Sequence, residues 1–193
     1  MFVEAIGLSL VVAVIRGGKI RRLGELKLQK AWLIFAPGGL IALLYLSHIP
    51  GLKPISNYAL PVHIVAYCMV FALIWLNRRL AGMLIIGAGA LLNFAAMAFN
   101  GGQMPVSHEA ARYVGMAEQL EKGNAVRHVS DGGNTRLYYL SDIIPAPSPP
   151  FLTPGVISVG DILLSVGLFV LIQRVVCSAG RQRATLAPDA DSG

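Results

Sequence analysis

Apolar residues gather into five runs: Phe2 to Ile15, Ala31 to Ile49, about Tyr58 to Leu76, Leu80 to Phe99 and Val156 to Val176. A helix needs about 20 residues to cross the hydrocarbon core of a bilayer, and four of the runs approach that length. The first is shorter and carries Glu4, and the second contains Pro37-Gly38-Gly39. A secretory signal places its basic residues before the apolar core. Here Arg16, Lys19, Arg21 and Arg22 follow it, and no small-residue cleavage site precedes Arg16. The first run therefore reads as a retained, short first helix.

Lysine and arginine placement sets an orientation for these helices. The segment after the first run holds Arg16, Lys19, Arg21, Arg22, Lys27 and Lys30. The turn between the third and fourth runs holds Arg78 and Arg79, and the tail holds Arg174, Arg181 and Arg183. With five crossings these regions share one side, so eleven of the sixteen basic residues are cytoplasmic. The other side carries Lys53, Arg112, Lys122, Arg127 and Arg136 over a much longer stretch. The expected topology has the N-terminus outside and the C-terminus in the cytoplasm.

Residues 100–155 form the long loop between the fourth and fifth runs. Asn100-Gly101-Gly102 predicts a turn. Ser107 is an expected N-cap, with Glu109 in the first turn, where the helix dipole favours an acid. Ala110, Ala111, Val114, Ala117 and Leu120 recur at helical spacing, which predicts an amphipathic helix to about Glu121. Val126–Val129 and Arg136–Leu140 flank Asp131-Gly132-Gly133-Asn134, the pattern of a β-hairpin with a glycine turn. Pro145, Pro147, Pro149, Pro150 and Pro154 follow, and prolines fix φ and lack an N–H, so an extended connector is expected there. Residues 1–99 thus hold helices one to four, 100–155 an extracytoplasmic cap, 156–177 helix five, and 178–193 a disordered cytoplasmic tail. The fold class is an all-α membrane protein: a five-helix transmembrane bundle with a small helix-plus-β-hairpin cap.

Composition agrees with lipid as the solvent. Of 193 residues 55% are hydrophobic and 13% are charged, against roughly 25% charged in an ordinary soluble domain. A soluble chain this short could not hide that much apolar surface. The net charge of +6 sits in clusters beside apolar runs and is not interleaved with aromatics, which argues against nucleic acid as a partner. Cys68 lies within an apolar run and Cys177 just past the last one, a placement that suits neither a disulfide framework nor a CxxC pair. His48, His63, His108 and His128 show no metal-ligand spacing, so neither a metal nor a cofactor is implied.

Polar residues inside apolar runs are costly to place and invite a functional hypothesis. The candidates are His63, Asn93, Asp142, Asp161 and Gln173. Asp161 lies about one and a half turns into the fifth run. It reads either as an acid favoured by the helix dipole at the membrane edge or as a functional carboxylate. Asp142, alone, is a loop acid. Paired with Asp161 it suggests chemistry, because two carboxylates that share a site separate their proton affinities, and one then serves as acid and the other as base on one water. The proline connector between them permits the chain to fold back and bring them together. Asn93 reads as an interhelical hydrogen-bonding residue or as a supporting residue of such a site. His63, with Tyr67 one turn on, reads as a structural hydrogen-bonding residue.

Four segments in order carry a first resemblance: Trp75-Leu76-Asn77-Arg78-Arg79-Leu80, Asn100-Gly101-Gly102-Gln103-Met104-Pro105-Val106-Ser107, Thr135-Arg136-Leu137 leading to Asp142-Ile143-Ile144-Pro145, and Ser158-Val159-Gly160-Asp161-Ile162. Together they resemble a bacterial membrane family known as a domain of unknown function, number 5317. That resemblance implies a bacterial inner-membrane protein and no particular activity.

A second resemblance covers the last two helices and parts of their loop. Gly89-Ala90-Leu91-Leu92-Asn93, Leu140-Ser141-Asp142-Ile143 and Ile157-Ser158-Val159-Gly160-Asp161 with Leu164 and Gly167 are similar to the GNxxDR, VxDF and FNxADxxIxxG stretches of lipoprotein signal peptidase, a membrane aspartyl protease. It implies Asp142 and Asp161 as a catalytic pair and Asn93 as a supporting residue. The first stretch lacks the Asp-Arg, Ser158 stands where that family has Asn, the NxGAAF segment is absent, and this chain has an additional helix.

Two functional classes follow. The first is a non-enzymatic membrane module that binds a lipid, small ligand or membrane partner through its outer cap. The second is a membrane-embedded aspartyl hydrolase with water held between Asp142 and Asp161 at the outer face. A carrier is disfavoured, because no repeated halves are visible.

Overall fold

A computed structural model describes residues 2–46, 59–116, 127–130, 135–148 and 153–177. A helix forms in each of the five apolar runs: α1 (Phe2–Ile15), α2 (Phe35–Leu46), α3 (Ala59–Leu76), α4 (Met83–Phe99) and, last in the chain, α6 (Val159–Cys177). Short 3-10 turns at Ile20–Glu25 and Ala31–Ile34 link α1 to α2. Among the described residues, α6 is long and apolar enough to cross a membrane, and α1 to α4 are apolar and shorter. Val156 and Ile157 belong to a strand, so the last helix begins later than its apolar run. The expected end of the second helix at Ile49 and the tail beyond Cys177 lie outside the described residues.

The α6 helix is the hub. It packs along α4 on one side and α1 on another, while α3 lies against α4 and α2. Small residues let the α4 and α6 backbones touch. A Cβ on Gly89 would sit 2.5 Å from the Gly160 carbonyl oxygen, and one on Gly160 would collide with the Asn93 side chain. Ala13, Ile172 and Val176 close the α1–α6 contact. At the far end of α3, Asn77 reaches the loop after α1: its Nδ2 donates to Gln29 O at 3.1 Å, and Gln29 N donates to its Oδ1 at 2.9 Å.

The cap comprises β1 (Met104–Ser107), α5 (His108–Tyr113), β2 (Arg127–Ser130), a 3-10 turn at Tyr138–Leu140, β3 (Ile144–Ala146) and β4 (Gly155–Ile157). Val106, Ala110, Ala111 and Val156 form its small core. Ser107 caps α5 as expected, its Oγ accepting from Ala110 N at 3.3 Å. Helix α5 is shorter than its apolar spacing predicts. It ends in a Schellman motif, with Gly115 at φ +74°, Gly115 N donating to Arg112 O and Met116 N to Ala111 O. Residues 117–126 lie outside the described residues.

The expected β-hairpin does not form. β2 pairs in parallel with β1, Met104 opposite Arg127 and Ser107 opposite Ser130. The other predicted arm is a turn, because Asn100 takes both backbone groups of Arg136: Arg136 N donates to its Oδ1 at 3.1 Å, and its Nδ2 donates to Arg136 O at 2.8 Å. Leu137 then adopts a left-handed conformation that leads into the 3-10 turn. Residues 131–134 of the predicted turn lie outside the described residues. The proline connector is likewise not a plain extended link. Its ends pair as the antiparallel strands β3 and β4, Pro145 opposite Val156. Proline is tolerated there because the ribbon has two strands, both of them edges.

Candidate functional site

The site begins with the local chemistry of the α6 N-terminus. Ser158 is the residue before the helix. Its Oγ accepts from Asp161 N at 3.0 Å, and its own N–H donates to Asp161 Oδ2 at 3.2 Å. This reciprocal pair is a capping box, with Asp in the place of the usual Glu or Gln. It holds the carboxylate in one rotamer and turns Oδ1 toward α4. There Asn93 Nδ2 donates to Asp161 Oδ1 at 2.8 Å, and Asn93 Oδ1 accepts from Ser158 Oγ at 2.8 Å. A closed ring of three residues results, Asn93 joined through side chains alone and Ser158 and Asp161 joined through side chain and backbone. Ser158 is fully buried and Asn93 nearly so. The ring depends on the glycine contact described above, since any side chain at Gly160 would occupy the place of Asn93.

Asp142 arrives from the cap. Backbone bonds fix it beside β1: Asp142 N donates to Pro105 O at 3.0 Å, and Ser107 N donates to Asp142 O at 2.8 Å. Asp142 is 2% exposed, unusual for an acid in a segment joining two secondary-structure elements. The proline segment that follows returns through the β3–β4 ribbon to Ser158, which draws Asp142 toward the start of α6.

Both carboxylates line a cavity of about 730 Å³ between α2, α3, α4, α6 and the cap. His63, Tyr67 and Asn93 complete its polar lining, and Ile34, Pro37, Val70 and Leu164 are among its apolar walls. The Tyr67 phenol is within electrostatic reach of both acids. Its hydroxyl lies 3.7 Å from Met97 Sδ, and its ring packs on Phe94 at 5.0 Å between centroids. Three sequence candidates, Asn93, Asp142 and Asp161, thus share one cavity, and His63 joins them. Gln173 does not. It lies twelve residues along α6 from Asp161, about 18 Å at 1.5 Å per residue, and bonds to Ser9.

Tyr67 and Ser158 are the lining and anchoring residues that were not among the sequence candidates. Tyr67 was noted only as a neighbour of His63, four residues on and so on the same helix face. For Ser158 the signal was the S-x-x-D spacing at the start of an apolar run. Among the described residues no three His, Cys, Asp or Glu side chains converge as a metal site requires.

Over residues 25–173 the chain matches the model of a family of unknown function, DUF5317. The chain belongs to this family. The DUF5317 match includes Asn93, Asp142, Ser158 and Asp161. This DUF5317 member is similar to an uncharacterized protein of Thermotoga maritima, 32% identical over 130 residues, which cover 66% of this chain and 71% of that protein. No solved structure matches the chain.

Proposed function

We propose that this protein is a multi-pass membrane hydrolase of the aspartyl type, with Asp142 and Asp161 as its acid–base pair and Asn93 as a positioning residue. The membrane part of the reading rests on an inside-out distribution of side chains. Val3, Leu8 and Val11 of α1, Leu84 and Leu91 of α4, and Val166 of α6 are exposed. Ser9, His63, Asn77, Asn93 and Gln173 are buried among the same helices. Lipid suits such apolar outer faces, and polar residues within it turn toward the bundle interior. Trp32 and Trp75 are exposed near the basic turns, Arg78 stacking 4.3 Å from the Trp75 ring, as in the aromatic belt of a membrane interface. In this reading α1, α2, α3, α4 and α6 all cross the bilayer of a bacterial cell. The N-terminus and residues 100–155 lie outside, and residues 178–193 lie in the cytoplasm.

One observation carries the hydrolase reading: Asp142, from the cap, and Asp161, from α6, line a single cavity together with Asn93. Two carboxyl groups on one water have the parts that amide hydrolysis requires. The ionised carboxylate takes a proton from water as its oxygen attacks the carbonyl carbon. The protonated partner gives its proton to the carbonyl oxygen. Collapse of the tetrahedral intermediate breaks the C–N bond: the leaving nitrogen takes a proton from the first carboxyl, and the partner carboxylate recovers its proton from a hydroxyl of the intermediate, giving a carboxylic acid, an amine and the starting pair. The bond from Asn93 to Asp161 Oδ1 and the capping box at Oδ2 hold one member of the pair while the other approaches from the cap.

The test uses detergent-purified protein and fluorogenic single-span peptides. Asp142→Asn and Asp161→Asn should each abolish cleavage while the thermal transition persists. A peptide carrying a hydroxyethylene isostere, which mimics the tetrahedral intermediate, should bind wild type and lose affinity for both variants. Cleavage that survives in both variants would sink the dyad. Binding of an apolar ligand in the same cavity, without turnover, is the second reading. The largely apolar walls favour it, since ligand pockets combine such walls with a few placed polar groups.

A further inference from the structure

A second polar seam joins α1 and α6 at the opposite end of the bundle. Gln173, buried, donates from Nε2 to Ser9 O at 2.6 Å and lies 3.1 Å from Ser9 Oγ. The amide is fixed by these contacts, and its Oε1 accepts from Arg16 Nη1 at 3.0 Å. One N–H of the guanidinium is therefore anchored on a buried partner, and a guanidinium carries further N–H donors in a rigid fork geometry that suits phosphate. Beside it is a pocket of about 470 Å³ lined by Arg16, Phe169, Val170, Gln173, Arg174 and Cys177. Among the described residues, two arginines and no carboxylate line it. The negative end of the α6 dipole would oppose an anion here. Val176 O, in that last turn, is covered by Lys19 N and Arg22 Nη1, each at 3.1 Å.

We propose that this pocket is a phosphate-binding site, with Arg16 and Arg174 as its cationic contacts and an anionic phospholipid headgroup as the ligand. Phe169 and Val170 supply the apolar wall that the glycerol and upper acyl carbons would meet. The lipid source rests on the membrane reading above; the phosphate chemistry does not.

The full chain in detergent is titrated with phosphatidylglycerol and with phosphatidylcholine, read by native mass spectrometry, and separately with inorganic phosphate, read by calorimetry. The anionic lipid should bind in preference to the zwitterionic one. Arg174→Gln should weaken it about tenfold, the scale of one lost set of charge-assisted hydrogen bonds. Arg16→Lys, which keeps the charge and removes the fork, should weaken it in the same direction. Arg21→Gln makes the same charge change as Arg174→Gln outside the pocket and should leave binding intact. Tight inorganic phosphate binding, lost in Arg174→Gln, with no preference between the lipids, would support the site and assign it a soluble phosphate. Equal weakening by Arg21→Gln and Arg174→Gln would overturn the proposal in favour of a diffuse basic field. So would the absence of binding in every arm. None of these variants touches the carboxylate cavity, so a failed dyad test and a failed phosphate test remain separate results.

Discussion

Ser158 shows how much one residue decides in this chain. Its hydroxyl accepts from the Asp161 backbone and donates to Asn93, and its amide holds the Asp161 carboxylate. Ser158→Ala removes the helix cap and leaves a buried Asn93 oxygen without its donor. The expected cost is roughly 1–3 kcal/mol, measurable as a lowered unfolding transition in detergent. An unchanged transition would mean that Asn93 and Asp161 hold each other without the hydroxyl. The S-x-x-D spacing was visible in the sequence. Its partner on α4 was not, because the bond to Asn93 spans 65 positions and depends on where two helices cross.

At the scale of elements, the α4–α6 contact positions the site. Gly160→Ala places a methyl group against the Asn93 side chain. The substitution should destabilise the fold by roughly 1–3 kcal/mol, as overpacking does, and should lower any activity that depends on Asn93. Gly7→Ala in α1 is the control, because a Cβ there meets nothing within 4 Å. It should be neutral or stabilising by up to about 1 kcal/mol, the propensity difference between the two residues in a helix. Equal effects from both changes, read by thermal unfolding, would show that helix propensity and not packing sets the outcome. The strands carried a weaker signal than the helices. Val126–Val129 has strand composition, and β2 does form at Arg127–Ser130, but its partner is β1, more than twenty residues earlier. Local alternation names a strand and says nothing of its neighbour. The side-chain clamp of Asn100 on Arg136, which removed the expected hairpin, is a non-local contact of the same kind.

For the whole molecule the orientation is testable. In a background with Cys68 and Cys177 replaced, Tyr139→Cys places a thiol at an exposed position of the cap, and Arg21→Cys places one in the basic loop after α1. A membrane-impermeant maleimide should label the first in intact cells and the second after lysis. The reverse pattern would overturn the proposed topology and put both carboxylates on the cytoplasmic face. Labelling of both in intact cells would contradict a closed bilayer between them.

The sequence by itself determined which five stretches carry the long helices, because a long apolar run must pair its buried backbone groups and a helix does so within the run itself. It also marked Ser107 as a cap and Asn93, Asp142 and Asp161 as polar residues out of keeping with their surroundings. Tertiary structure decided which of these residues meet. Asn93, Asp142 and Asp161 share a cavity because glycines let α4 and α6 approach and because the paired proline segment returns Asp142 to the head of α6. Gln173, an equal candidate by composition, faces Ser9 and Arg16 at the far end of the same helix. The reason is physical: apolar patterning is a local property of the chain, whereas the meeting of polar groups depends on helix crossings and loop paths set by contacts far apart in sequence.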